Sequence, residues 1–159
     1  MRALRLSIIL ALLAVGQQAR AGGVAGCSTS VAPIPFGVYD PTSPSDLTPT
    51  GSISVSCQLL SGVSLLVAYT ITLSPGSGSY ITRKMTGTAT PMSYNLYLNN
   101  SMTQVWGDGV SGGSFSKTDG YLLGLGTVVL TYTVYARLPA HQLVSAGSYS
   151  DGITVTVSY

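Results

Sequence analysis

The 159-residue chain has no glutamate, one histidine, one tryptophan and two cysteines, and only 8% of it is charged. Each scarcity removes a class of chemistry. Asp40, Asp46, Asp108, Asp119 and Asp151 are its only carboxylate side chains and are scattered, which leaves little material for a paired acid and base. Any histidine-dependent triad would have to use His141, which follows Pro139-Ala140 in a connection and reads as a polar loop residue. One histidine and the widely separated Cys27 and Cys57 lack metal-ligand spacing, so neither a metal nor a cofactor is expected. The longest apolar run, Leu6 to Val15, is too short for a bilayer span, which needs about 20 residues. No stable membrane insertion is expected.

That run does fit an export leader. Met1-Arg2-Ala3-Leu4-Arg5 is a basic start, and Ala19-Arg20-Ala21 offers small residues where a signal peptidase cuts. Residues 1–21 therefore read as a signal peptide and residues 22–159 as one domain, large enough to bury a core. Beyond the leader, Arg83, Lys84, Lys117 and Arg137 face the five aspartates. No basic stripe is left to neutralise phosphates, so nucleic acid is excluded as a partner. An even cysteine count behind an export signal reads as one disulfide, Cys27–Cys57. Closing a loop of about 30 residues would stabilise the fold by roughly 3–4 kcal/mol in the chain-entropy model.

Strand signals fill the rest, and no stretch carries a helical period. Ile53, Val55, Cys57 and Leu59 alternate with polar residues, and Leu65, Val67, Tyr69, Ile71 and Leu73 form the next set, closed by Ser74-Pro75-Gly76. Tyr94, Leu96 and Leu98 follow, then Val105-Trp106 running into Gly107-Asp108-Gly109, a tight reversal. A long strand spans Val128 to Leu138, and Pro139 ends it because proline cannot donate to a ladder. The last residues alternate without a fault: Ile153, Val155, Val157 and Tyr159 share one face, Thr154, Thr156 and Ser158 the other. This closing strand needs a neighbour from earlier in the chain or from another molecule. Pro33 to Gly37 belongs at an edge or corner, Pro41 to Pro49 in an extended loop, and the Gly/Ser-rich stretch Ser111 to Gly120 in a mobile loop. Tyr94, Tyr132 and Tyr159 fall on apolar registers and read as core, while Tyr97 and Tyr135 fall on the opposite, surface register. Six or seven strands with such punctuation predict an all-β antiparallel sandwich.

Gly109-Val110-Ser111-Gly112-Gly113 matches the nucleophile-elbow pattern. That elbow needs a strand before it and a helix after it, and here it lies in a Gly/Ser loop of an all-β chain. No enzyme is expected.

Taken in order, several motifs resemble the spore coat protein U domain family, which includes pilins of the archaic chaperone–usher pathway. They are Cys27, Ile34-Pro35-Phe36-Gly37-Val38-Tyr39-Asp40-Pro41, Thr50-Gly51-Ser52-Ile53-Ser54-Val55-Ser56-Cys57, Arg83-Lys84-Met85 and Tyr94-Asn95-Leu96-Tyr97. Val105-Trp106-Gly107-Asp108-Gly109, Tyr135-Ala136-Arg137-Leu138-Pro139-Ala140 and Ala146-Gly147-Ser148-Tyr149-Ser150-Asp151 complete the series.

The resemblance implies an incomplete immunoglobulin-like, pilin-like β-sandwich lacking its last strand. A periplasmic chaperone, and later another pilin subunit, would lend that strand beside the chain's own last one, with an outer-membrane usher assembling the fibre. Ile153, Val155, Val157 and Tyr159 would line the receiving groove, and Cys27 and Cys57 would tie the first strand to the second. The implied destination is the periplasm in transit, then the cell surface or an extracellular fimbrium, with roles in adhesion and biofilm. A serially linked pilin also needs a donor segment, and Val15 to Gly26 presents no row of large apolar residues in either register. A terminal place in the fibre is therefore expected. The alternative is a self-contained secreted coat or matrix protein that builds no pilus, its final strand pairing only within its own chain.

Overall fold

The computed structural model describes residues 25–61, 65–87 and 90–159; the expected leader lies outside them. The described residues form eight strands: β1 Ala25–Ala32, β2 Thr50–Leu59, β3 Leu65–Leu73, β4 Arg83–Met85, β5 Met92–Tyr97, β6 Lys117–Leu123, β7 Thr127–Arg137 and β8 Val155–Ser158. They build a five-stranded sheet in the order β1-β2-β7-β5-β4 and a three-stranded sheet in the order β6-β3-β8. Every ladder is antiparallel, as an all-β sandwich of alternating strands requires.

The core lies between the sheets and follows the period of two. Ile53, Val55 and Cys57 of β2 are buried, and so are Val67, Tyr69, Ile71 and Leu73 of β3. Burying each Val- or Ile-sized side chain is worth roughly 1.5–3 kcal/mol. Trp106 bolts the two layers together. Its main-chain N–H donates to Leu96 O of β5 at 2.9 Å, and its indole N–H donates to Ile71 O of β3 at 3.1 Å. Cys27 pairs with Cys57 across the β1–β2 ladder and the two form a disulfide.

Two expectations need correction. The stretch Ser111 to Gly120 is not one loop: Ser111–Gly113 is a 3-10 turn and Lys117 begins β6. Its strand was masked because Lys117 and Asp119, both polar, occupy inward register positions. Lys117 pairs with Asp119 and its ammonium lies over the Tyr132 ring, while the Tyr132 hydroxyl donates to Asp119 at 2.9 Å. Tyr159 is not core either. It lies past the end of β8 and is 72% exposed, because the ladder with β3 stops at Ser158, one residue short of it. Tyr94 is buried as expected, and Tyr132 is half-buried against the core.

Candidate functional site: an open strand edge beside an apolar groove

β8 finds its neighbour within the chain, but on one side only. It pairs with β3, Val155 opposite Leu73 and Val157 opposite Ile71. The ladder's phase follows from Ser74, whose N–H donates to Thr154 O at 2.9 Å. In an antiparallel ladder, residues alternate in the direction of their main-chain groups. Thr154, Thr156 and Ser158 therefore turn their N–H and C=O groups towards β3, while Ile153, Val155 and Val157 turn theirs away. No described strand lies on that outer side. The residues whose side chains face the core thus also carry the unpaired main-chain donors and acceptors.

Beside this edge opens a cavity of about 570 Å³. Ile153 and Val155 form one rim and the segment from Val31 to Gly37 the other. The floor is the core itself, including Ile53, Leu73, Leu96 and Val134. Val157 packs against the core farther along β8, and Tyr159 does not reach the packed set. Phe36 and Ile34 were not singled out as site residues by the sequence. Their signal was the alternation of apolar residues with Pro33, Pro35 and Gly37, obscured by the prolines.

A polar cluster sets where β8 begins. Asp151 accepts from the Ser77 N–H at 3.0 Å, the Ser77 hydroxyl at 2.9 Å and the Tyr94 hydroxyl at 2.7 Å. Burial pushes the Tyr94 phenol well above its ordinary pKa, and the bond to Asp151 pushes it further. Gly76 permits this approach: it has φ +63°, and a Cβ there would lie 2.1 Å from Asp151 Oδ2. Beneath lies Arg83, fully buried, whose guanidinium donates to Ser74 O, to Trp106 O at 2.7 Å and to Asn95 Oδ1 at 2.6 Å. Carbonyl oxygens replace the water that a cation would otherwise hold. Burial nevertheless pulls the Arg83 pKa down.

The sequence matches the Spore Coat Protein U domain over residues 14–156. The chain belongs to that family. Protein U of Myxococcus xanthus is 32% identical over 153 residues, covering 91% of this chain and 79% of its own length. Among solved structures, the chain resembles one from the CsuC–CsuE chaperone–tip adhesion subunit pre-assembly complex of the archaic chaperone–usher Csu pili of Acinetobacter baumannii. The TM-score is 0.56 at 17% identity, over 85% of this chain. This chain spans about 40% of the length of that one. Its fold is thus of the kind found in a chaperone–pilus subunit complex.

The motifs that carry the spore coat U resemblance converge in space. Arg83, Asn95 and Trp106, far apart in sequence, share one hydrogen-bonded cluster beneath the root of β8, and Asp151 is bonded to Tyr94, the chain neighbour of Asn95. Of the residues weighed for catalysis, Ser111 and His141 make no hydrogen bond to this cluster among the described residues. The Ser111 hydroxyl donates to Asp108 at 2.6 Å inside its own turn. Hydrogen bonds from Ser111 and from the Val110 N–H hold the Asp108 carboxyl far below its ordinary pKa. His141 is exposed, with φ +58°. Among the described residues, no group of three His, Cys, Asp or Glu side chains is placed to hold a metal, and no helix is long and apolar enough to cross a membrane.

Proposed function

We propose that this chain is an exported, pilin-like structural subunit that receives a strand from a partner through a chaperone–usher pathway. The observation that carries the reading is the outward main-chain edge of Ile153, Val155 and Val157 beside an apolar cavity that opens onto the core. An extended polypeptide meets both demands at once. Its main chain pairs with the edge and its alternate side chains fill the cavity. A periplasmic chaperone would supply that strand first, and another subunit afterwards. The resemblance to a chain from a chaperone–tip adhesion subunit complex supports the choice of partner.

Two finer features belong to the same proposal. Residues 15–26 present no row of large apolar side chains, which supports a subunit that receives a strand without donating one, at an end of the fibre. Adhesion and biofilm formation are supported by the end of the sandwich remote from the cavity. There the cross-strand pair Leu66 and Leu122 is exposed, together with Leu60 and Leu125 of the adjoining loops. A self-contained coat protein remains the second reading, favoured by Ile34 and Phe36, which pack on the core from within the chain.

The test is to export the full chain with and without a chaperone–usher chaperone and to offer the purified protein extended donor peptides. Strand reception predicts co-purification with the chaperone and a rise in Tm with peptide, both reduced at least tenfold in affinity by Val155→Asp. A stable monomer indifferent to chaperone and peptides would leave the self-contained reading.

A further inference from the structure

A second cavity, of about 490 Å³, shares no lining residue with the strand-receiving groove. It exists because β5 ends before β7 does. Asn99 Oδ1 accepts from the Thr103 and Gln104 N–H groups, both at 3.1 Å. This turn folds the chain back along β5, the Leu98 N–H donating to Gln104 O at 2.9 Å. β7 meanwhile continues. On its β2 side the Ala136 N–H donates to Pro49 O at 3.0 Å, so Tyr135, Thr133 and Thr131 turn their main-chain groups the other way. Tyr135 meets Tyr97, the last residue of β5. Thr133 and Thr131 have no strand beside them among the described residues. The facing bank is the entry to β6, placed by the Phe115 N–H, which donates to Val105 O at 2.8 Å.

The lining is polar but electrically neutral. No carboxylate belongs to it, and its single cation, Lys117, is paired with Asp119 and lies over the Tyr132 ring. The side chains of Gln104, Ser116, Thr133 and Tyr135 line the cavity and make no hydrogen bond among the described residues. They bring both donors and acceptors. Phe115, 45% exposed, and the rings of Tyr132 and Tyr135 add apolar surface.

We infer that this cavity binds a neutral saccharide. A cavity of this size lies in the range of small-ligand sites. A sugar offers hydroxyls to the free polar groups and C–H faces to the aromatic rings, which carry an apolar body beside a polar tip. An anion would need a cation not already compensated. An apolar ligand would strip water from the lining's donors and acceptors without replacing it. A polypeptide strand would need a longer edge, because only Thr131 and Thr133 offer free main chain to the cavity and Val129, the next residue turned the same way, does not line it. The site is independent of strand reception.

The experiment titrates the full exported chain with cellohexaose, xylohexaose, mannohexaose and chitohexaose, following main-chain amide shifts by NMR. At least one of them is expected to shift the amides of residues 115–118 and 131–135. Phe115→Ala should weaken that binding at least tenfold and Gln104→Ala at least threefold, while Val155→Asp, in the other groove, should leave it within twofold. Far-UV circular dichroism and urea unfolding establish that each variant is folded. Gln104→Ala serves if Phe115→Ala does not fold, since the Gln104 side chain is exposed and holds nothing in place. The inference is overturned if no saccharide shifts these amides, or if binding survives both cavity variants or is lost equally in Val155→Asp. Tighter binding of a heparin hexasaccharide than of any neutral one also overturns it, as does a response at these amides to an extended Val–Thr peptide alone.

Discussion

At the scale of single residues, the fold depends on a few polar groups placed where water cannot reach. Arg83 is the clearest. It has 0% exposure and, among the described residues, no carboxylate within ion-pair distance, so its charge is compensated by Ser74 O, Trp106 O and Asn95 Oδ1. Its planar fork reaches these acceptors in different directions, which a lysine ammonium cannot reproduce. Arg83→Lys is therefore expected to destabilise by about 3 kcal/mol, read as a lower urea midpoint at unchanged m-value. Trp106→Phe keeps much of the packing but removes the donor to Ile71 O. It should cost about 0.5–1.5 kcal/mol, the net worth of one hydrogen bond, because Ile71 keeps Lys117 opposite it in the β3–β6 ladder.

At the scale of elements, legibility varied with the chemistry of the inward face. β2, β3 and β7 were visible in the sequence because their inward residues are nearly all apolar, as in the row from Ile53 to Cys57. β6 was hidden because Lys117 and Asp119 face inward and satisfy one another and Tyr132. β4 was hidden because it is three residues long and its first inward residue is the buried Arg83. β1 has few large apolar residues, and its hold on the sandwich is the ladder to β2 and the disulfide within it. Replacing both cysteines by serine should lower stability by about 3–4 kcal/mol. The loss should be measured by urea unfolding with and without reductant, and reductant should affect only the intact chain. β1 and the segment that continues from it should loosen first, seen as faster amide exchange from Cys27 to Val31 than in β2.

At the scale of the whole molecule, the ionisable groups predict a broad plateau of stability. Hydrogen bonds from the Ala140 N–H and from Arg137 hold the Asp46 carboxyl below its ordinary pKa, and bonds from the Gly120 N–H and Tyr132 do the same for Asp119. A folded-state pKa below the unfolded value gives stability that is complete above the unfolded value of about 3.9 and lost as pH falls below it. The phenols of Tyr94 and Tyr132 are raised by burial and then by hydrogen bonds, to Asp151 for the first and with Tyr69 and Asp119 for the second. Their contribution is complete below the unfolded value of about 10 and lost as pH rises beyond it. Thermal unfolding should therefore give a nearly constant Tm between about pH 5 and 9, falling on both sides. A Tm that fell steeply between pH 5 and 8 would contradict this distribution of charges.

The sequence by itself determined the all-β class, the inward faces of the long strands and the alternation of the last one, because side chains on a strand alternate whatever the strand pairs with. Family membership was also legible, in motifs that turned out to meet around Arg83 and Asp151. Only the tertiary structure decided which edge of β8 is paired, since main-chain pairing leaves no trace in the pattern of side chains. It also decided that Tyr159 stands clear of the core and that Phe36 forms the groove's opposite wall. Those outcomes depend on where the ladder with β3 stops and on where two prolines and Gly37 carry the chain after β1, and both are set by contacts between segments distant in sequence.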